Sequence, residues 1–269
     1  MTPDQAWTLI LQQRHQPDDA IARWPEAIAA TEADYARQLL QLFRPLVKPL
    51  ADDELQVVAQ MGQSLDGRIA TITGKSRYIN GEDGLIHLHR LRAVSDAVLV
   101  GSGTASVDNP RLTVRLASGP NPVRVLVDRQ RRVPDSHHLF TDGVAPTLRL
   151  VAGHFDPGAL PPVLSQDVHE IPCLSGEDGP INPREVLTVL QRLGLQRIFV
   201  EGGGQTVSTF LSGGLVDRLH VLVSPMIIGS GQPAFQLPEI DSLGDALRPR
   251  ANMVNLGSDM LFDLDFSGP

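Results

Sequence analysis

Cysteine is almost absent: Cys173 is the one thiol in 269 residues. A single thiol excludes an intrachain disulfide and any cysteine-based metal site, and between Pro172 and Leu174 it reads as a packing residue. Aromatic residues are scarce, 4% against an apolar fraction of 42%. A core must therefore be made of Val, Leu, Ile and Ala. Positive charge is also short, with a net charge of −8. The clustered Lys and Arg that nucleic acid requires are missing, so an anionic small molecule would need a local group of arginines. No apolar run approaches the ~20 residues of a membrane helix. The N-terminus lacks the basic-then-apolar pattern of a secretory signal. These absences point to a cytoplasmic protein with neither membrane nor nucleic acid as partner. Four histidines between 134 and 182 (His137, His138, His154, His169) show no metal-ligand spacing, and His137 and His138 read as solvated turn residues. No metal site is expected.

Glycine is missing before Gly62, and the first 50 residues differ from the rest. Trp7, Ile10 and Leu11 recur at helical spacing. Ile21, Trp24 and Ile28 do so next, then Tyr35, Leu39, Leu42 and Phe43. Pro3, Pro17 and Pro45 punctuate them, and Thr31 with Asp34 resembles a capping pair. The spacing predicts a helical extension over 1–50 that packs on the main domain or a partner chain, followed by one domain over 51–269.

That domain reads as mixed α/β. Strands are expected at 55–60, 97–100, 123–127, 147–151, 168–171, 197–200 and 215–223. Two more, 253–256 and 260–266, are joined by Gly257-Ser258 as a hairpin. Asp66-Gly67 marks a turn. A helix is expected over 81–94, capped by Asn80, with Leu85, Leu88 and Leu91 as its apolar stripe. On that wheel Arg92 falls about 40° from Leu88 and Arg90 faces away. A guanidinium aimed inward needs an anionic partner, or must snorkel to the helix edge. Pro183 opens another helix, ending near Gly194.

Two strand ends carry the chemistry. The run Ala97–Val100 breaks into Gly101-Ser102-Gly103-Thr104, then passes Asp108-Asn109-Pro110 to Arg115. The strand at 197–200 breaks into Glu201-Gly202-Gly203-Gly204-Gln205-Thr206 ahead of a helix. A strand, a glycine turn and a helix N-terminus together present backbone N–H groups to phosphate. Neither is a dinucleotide fingerprint of the G-x-G-x-x-G type, and no Walker lysine is present.

Together, SLDGRIAT, GKSRYI, HRLRAVSDAVLVGSGTASVDNPRLTVR, VRVLVD and EGGGQTVSTFLSGGLVDRLHVLVSPMIIGSG resemble the pyrimidine reductase of riboflavin biosynthesis. That is the reductase half of the bifunctional deaminase–reductase, and the likeness covers about residues 55 to 266. The resemblance implies a dihydrofolate reductase-like α/β fold, with a mixed, mostly parallel sheet flanked by helices. It implies NADPH as cofactor and a homodimer. The implied substrate is a phosphorylated ribosylamino-pyrimidine whose ring-opened ribose is reduced to a ribityl chain. By position, Gly62, Tyr78, Thr104, Asp108 and the turn Gly203, Gly204, Gln205, Thr206 resemble the cofactor contacts. Ser76, Arg92, Leu112, Arg115 and Glu201 resemble the substrate contacts, with Arg92 and Arg115 on the phosphate. Either Glu201 or Asp108 could relay the proton that the imine nitrogen gains.

The sequence departs from the family pattern in three places. Tyr78 stands where Trp is usual. Arg129 follows Asp128 where Ser is common, and a cation there would suit the 2′-phosphate of NADPH. The zinc deaminase half, with its His-x-Glu and Pro-Cys-x-x-Cys, has no counterpart, so a stand-alone reductase is expected. A reductase of a related pteridine or pyrimidine, and a non-enzymatic nucleotide-binding protein, remain the other two readings.

Overall fold

The computed structural model describes residues 1–15, 24–29, 31–176 and 180–268. Ile21 and Pro17 of the helical extension lie outside the described residues. The chain divides into two compact units, Met1–Gln56 and Val57–Pro269.

The first unit holds helices α1 (Pro3–His15), α2 (Trp24–Ala29) and α3 (Asp34–Phe43). Trp7 of α1 meets Phe43 of α3 edge-on, ring centroids 5.3 Å apart, as the apolar spacing of both runs requires. The expected Thr31–Asp34 cap does not form. Ala33 occupies the cap position without a side-chain bond. The Thr31 hydroxyl instead donates to Ala27 O, and its carbonyl accepts from the Arg37 guanidinium.

The second unit is built on a nine-stranded sheet. Its strands are β1 (Gln56–Ser64), β3 (Ala97–Gly101), β4 (Val123–Val127), β5 (Thr147–Ala152), β6 (Val168–Leu174), β7 (Arg197–Glu201), β8 (Arg218–Ser224), β10 (Arg250–Leu256) and β11 (Asp259–Asp265). Their spatial order is β10-β11-β8-β1-β7-β3-β4-β5-β6. The pairs β1–β8, β3–β7, β3–β4, β4–β5 and β5–β6 are parallel, whereas β11 runs antiparallel to β8 and β10. Parallel strands covered on both faces read as unbroken apolar runs, and Ala97 to Val100 are fully buried. The Gly257-Ser258 hairpin closes β10 onto β11, with Gly257 at φ 65°.

Around the sheet lie α4 (Glu82–Val94), α5 (Ser102–Asp108), α6 (His138–Thr141), α7 (Pro183–Arg192) and α8 (Gly204–Ser212). A small second sheet pairs β2 (Arg68–Ala70) with β9 (Gln232–Pro233). The Asp66-Gly67 turn is present, and its carboxylate accepts from the N–H groups of Ile228 and Gly229. The Ser64 hydroxyl bond, then the Ile228 bond, hold Asp66 down at about 2. This one residue thus ties the first turn of the domain to the loop before β9.

Three expectations change. β1 runs on to Ser64, because its ladder with β8 continues through Gly62 and Gln63. Asn80 does not cap α4. Gly81 takes that position, its N–H donating to Asp259 Oδ2 at 2.8 Å, while the Asn80 amide donates to Leu222 O. The apolar stripe of α4 also fails. Leu91 is buried but Leu85 is 47% exposed, and the covered face carries Gly84, His87, His89, Arg90 and Arg92. The reason is proximity: a Cβ on Gly84 would stand 2.7 Å from Leu222 Cδ2. The helix lies too near β8 for a leucine there.

The covered face of α4 is polar, and it is matched. His87 Nε2 and His220 Nδ1 share a hydrogen bond of 2.9 Å. His220 Nε2 lies 3.3 Å from Asp263, which also accepts two bonds from the Arg218 guanidinium. Burial pushes Asp263 up, but bonds and charges from His220 and Arg218 win and hold it below the usual carboxylate range. Burial, then the neighbouring His220, keep His87 neutral well below the ordinary imidazole range. Among the described residues no helix is long and apolar enough to cross a membrane.

Candidate active site

In a parallel sheet the loops after the strands gather at the C-terminal edge, and ligands bind there. Here β1, β3, β4 and β7 deliver Gly62, Gly101, Val127 and Glu201 to one cavity of about 820 Å³. Helix α4 adds Leu85 and Leu88 to its wall, which is where two leucines of the expected stripe point.

The glycine turns form one side. Gly202 and Gly203 have φ of 69° and 57°, a region that side chains with a Cβ avoid. A Cβ on Gly204 would stand 2.5 Å from Ala234 O, so the backbone passes β9 at a distance only glycine allows. The turn opens α8, whose first N–H groups have no partner within the helix. Gly203, Gly204, Gln205 and Thr206 all line the cavity. The run after β3 is more ordered than a plain glycine turn: α5 begins at Ser102, and Asn109 ends it in the left-handed conformation. Thr104 and Asp108, one helical turn apart, reach the cavity from this helix.

Ser76 and Glu201 complete the sequence-predicted residues on the wall. Glu201 is fixed by Arg92. The guanidinium donates from Nε to Oε2 at 2.8 Å and from Nη2 to Oε1 at 2.5 Å, and its Nη1 donates to Thr113 O at 2.9 Å. The side chains are 5% and 14% exposed. Arg92 therefore stands behind the wall rather than on it, and its inward direction is answered by a carboxylate. Arg115 joins the same network, its Nη1 donating to the Thr113 hydroxyl at 2.7 Å. Leu112 is fully buried at φ 53° beside this segment. Burial, then the nearby Arg92 and Arg111 charges, push the Arg115 pKa down. Glu201 offsets part of that charge, and neither Leu112 nor Arg115 lines the cavity.

Two expected cofactor residues lie off the wall. Tyr78 is 89% exposed, at φ 67°. Arg129 turns its Nη2 to Pro180 O at 3.3 Å. Among the described residues, the cation on the cavity wall is Arg132, whose Nη2 donates to Ser102 Oγ at 3.1 Å. Its neighbour Arg131 pairs with Glu170, and Arg149 pairs with Asp128 and Asp135. Sequence position could not separate Arg129, Arg131 and Arg132, since the turn after β4 decides which one faces in. Gln60 was also missed, although a polar residue inside the apolar run 57–61 was the signal.

Asp108 and Glu201 differ in setting. Both oxygens of Glu201 are occupied by Arg92. Desolvation raises the pKa of Asp108; Arg77 opposes this and Glu201 adds to it. Exposure at the rim limits the size of that shift. Cys173 is buried, its thiol pushed up to about 12 by burial, as befits a packing residue.

His89 links α4 to the arginine segment. Its Nδ1 accepts the Arg115 N–H at 2.9 Å, which requires a neutral ring on that nitrogen. Burial, then Arg92 and Arg115, lower its pKa from 6.5 to about 4. The folded value lies below the unfolded one, so the unfolded chain takes up more protons in this range. The His89 contribution is intact above pH 6.5 and is lost as pH falls toward 4. In His89→Asn, whose Oδ1 can accept the same N–H, the acid-side fall of the urea midpoint should be shallower than in the parent. His87 should supply the remaining slope. Equal slopes in the two proteins would refute the assignment.

The chain is similar to several known proteins. The 2,5-diamino-6-ribosylamino-4(3H)-pyrimidinone 5′-phosphate reductase of Methanothermobacter thermautotrophicus is 35% identical over 219 residues. The match covers 79% of this chain and 98% of that protein. The riboflavin biosynthesis protein RibD of Bacillus amyloliquefaciens is 35% identical over 177 residues, 64% of this chain and 46% of that longer protein. A Thermotoga maritima structure is described as a diaminohydroxyphosphoribosylaminopyrimidine deaminase/5-amino-6-(5-phosphoribosylamino)uracil reductase. It matches with a TM-score of 0.63 at 26% identity, over 86% of this chain and 61% of that one. A riboflavin biosynthesis reductase from Saccharomyces matches in fold, with a TM-score of 0.65 at 20% identity over 85% of this chain and 99% of its own. The sheet and its flanking helices are thus of the dihydrofolate reductase-like kind. Residues 56–262 match the model of the RibD C-terminal domain, and the chain belongs to that family.

Proposed function

We propose that the chain is a reductase that uses NADPH to convert the ribosylamino side chain of a pyrimidine 5′-phosphate to ribitylamino, in riboflavin biosynthesis. The observation that carries this reading is the match to the archaeal reductase over nearly the whole of that protein. The cavity supports it. The glycine turn before α8 suits a diphosphate, because its close backbone approach and open helix N-terminus leave N–H groups for phosphate oxygens. Arg132 is the cation suited to a 2′-phosphate, in place of Arg129.

NADPH, when bound, supplies the hydride. The chain's own residues do the rest. Gly203, Gly204, Gln205 and Thr206 would hold the cofactor, with Thr104 facing Gly203 across the turn. Arg115, with Arg111 near it, would meet the substrate phosphate, while Arg92 holds Glu201 and the Thr113 carbonyl in place. Glu201, clamped by Arg92, accepts hydrogen bonds from ribose hydroxyls at a fixed position. Such fixing of the acceptor carbon turns a bimolecular transfer into an effectively unimolecular one. Asp108 is the proton relay to the imine nitrogen in this reading, because it lines the cavity and its carboxyl lacks the bidentate clamp that occupies Glu201. In the family the reductase half dimerises, and we take this chain to act as a homodimer.

An NADPH-oxidation assay tests the proposal. The 5′-phosphates of the diamino-pyrimidinone and of the aminouracil should both be offered, each beside its dephosphorylated form. Turnover of at least one phosphate, with loss of most kcat/KM on dephosphorylation, is expected. Absence of NADPH oxidation with all four compounds would overturn the reading. Asp108→Asn should lower kcat by roughly 10²–10⁴-fold, the usual worth of a general acid, with KM little changed. A loss confined to KM would remove it from the proton path. Arg132→Ala should reduce the NADPH over NADH ratio of kcat/KM by about tenfold or more, since a charged hydrogen bond is worth roughly 1.5–3 kcal/mol. Arg129→Ala should leave that ratio nearly intact, and the reverse order would restore Arg129 to the role.

A further inference from the structure

We infer that Arg149 is a positioning residue for the choice of cofactor: acting through Asp128, it fixes the turn that directs Arg132 into the cavity. The inference rests on the proposed place of Arg132 at a 2′-phosphate and names what holds that cation there.

The turn after β4 carries Arg129, Arg131 and Arg132, and of these three Arg132 alone lines the cavity. An arginine side chain is long and rich in rotamers, so a cation that must meet one phosphate needs a fixed Cα. Asp128 supplies this. Its Oδ1 accepts the Arg132 N–H at 2.8 Å and its Oδ2 accepts the Val133 N–H at 3.1 Å. These are the peptide N–H groups on either side of the Arg132 Cα. The Asp128 carbonyl also accepts the Arg131 N–H at 3.0 Å, and the Arg129 carbonyl accepts from Ala152. Arg131 stands at φ 51°, in the left-handed region that a residue with a Cβ keeps only where its surroundings over-determine it. Around that step two neighbouring cations part. Arg131 pairs with Glu170 on β6, and Arg132 donates to Ser102 Oγ at the start of α5.

Asp128 can hold the turn only if its own charge is answered, because it is fully buried and an uncompensated buried charge is expensive. Arg149 on β5 answers it. Nε and Nη2 donate to Asp128 Oδ2 at 3.1 and 2.8 Å. The same Nη2 donates to Val133 O at 3.0 Å, and Nη1 donates to Asp135 Oδ1 at 2.9 Å. The guanidinium also lies over the Phe140 ring of α6, 5.0 Å from its centroid. One planar cation thus holds the segment at Asp128, Val133 and Asp135, on both sides of Arg132. A lysine lacks the rigid fork that spans these groups. Arg149 does not line the cavity, so it acts through Arg132 and not by touching a ligand. The Arg131–Glu170 pair reaches the same turn from outside, but its side chains are 50% and 41% exposed, and exposed pairs of this kind fix little.

The test is calorimetric titration of NADP⁺ and of NAD⁺ into the full chain without substrate. The parent should prefer NADP⁺, and Arg132→Ala should lose most of that preference. Arg149→Met removes the cation and keeps an apolar stem. Arg149→Lys keeps a charge beside Asp128 and carries the test if the methionine variant shows no cooperative melt. The NADP⁺ over NAD⁺ affinity ratio should fall about fivefold or more in Arg149→Met, with a smaller fall of the same sense in Arg149→Lys. NAD⁺ affinity should change little in both. Combined with Arg132→Ala, either Arg149 variant should lower the ratio no further, because the two residues act on one contact. Glu170→Ala should leave the ratio nearly intact. General damage to the fold would weaken both nucleotides alike, so an unchanged ratio in the Arg149 variants would overturn the inference. Losses that add in the double variant, or an equal fall in Glu170→Ala, would overturn it as well. A parent with no preference for NADP⁺, or an Arg132→Ala variant that keeps the preference, would instead overturn the reading of Arg132 on which the inference rests.

Discussion

The bidentate pair between Arg92 and Glu201 is the constraint on which the site depends. It joins the last turn of α4 to the end of β7, and through Thr113 O it also fixes the segment that leads to Arg115. Two charges taken from water lose several kcal/mol of hydration each, and their attraction offsets this only when the geometry is close and the remaining donors are satisfied. Here Nε, Nη1 and Nη2 all donate. Removing either partner would strand the other, a change worth roughly 3–5 kcal/mol at buried pairs. Such an arrangement adds little net stability over an apolar pair. Its value is position: Glu201 faces the cavity from one direction only.

The same helix explains why the molecule tolerates so polar an interior. α4 carries His87, His89, Arg90 and Arg92 on its covered side, while Leu85 and Leu88 border the cavity. An ordinary amphipathic helix does the opposite. The inversion is possible because three of these groups meet a matching one on the sheet or the following segment: His220 for His87, the Arg115 N–H for His89, Glu201 for Arg92. The leucines freed by the inversion furnish apolar wall to a binding cavity, where they appear exposed only because a cavity admits solvent. His87 and His89 are both held neutral by this packing, so the cost of acid falls on the helix that positions the site.

Much of the architecture could be read from residue order. The central strands are runs of Val, Leu, Ile and Ala that stop at glycine or a charged residue, and burial on both faces leaves few other meanings for such runs. Pro183 after Asn182 marked the start of α7 correctly, with the Asn182 side chain accepting the Arg184 N–H. Both glycine-rich breaks do border the cavity. The misses share one cause. Asn80 looked like a cap by spacing, yet Gly81 takes the cap position and sends its N–H to a carboxylate 178 residues away. Arg129 looked like the cofactor cation by adjacency to Asp128, yet Arg132 lines the wall. Tyr78 resembled a cofactor contact by position, yet it lies off the cavity wall. In each case a neighbour far along the chain, or the course of a turn, outweighed the local pattern.

What the sequence determined by itself is therefore the alternation of strands, turns and helices, the glycines where backbone must approach a ligand, and the family to which the motifs point. These follow from short-range rules: apolar periodicity, φ > 0 at glycine, and helix start signals. Only the tertiary structure decided how charge is distributed about the site. Arg92 and Glu201 are 109 residues apart in sequence, and nothing local distinguishes a guanidinium that meets a carboxylate from one that meets a phosphate. The same holds for Arg132, whose direction emerges only when Asp128 and Arg149 have closed the turn after β4. Electrostatic and hydrogen-bond satisfaction belong to three-dimensional neighbours, and those are set by the packing of the whole sheet.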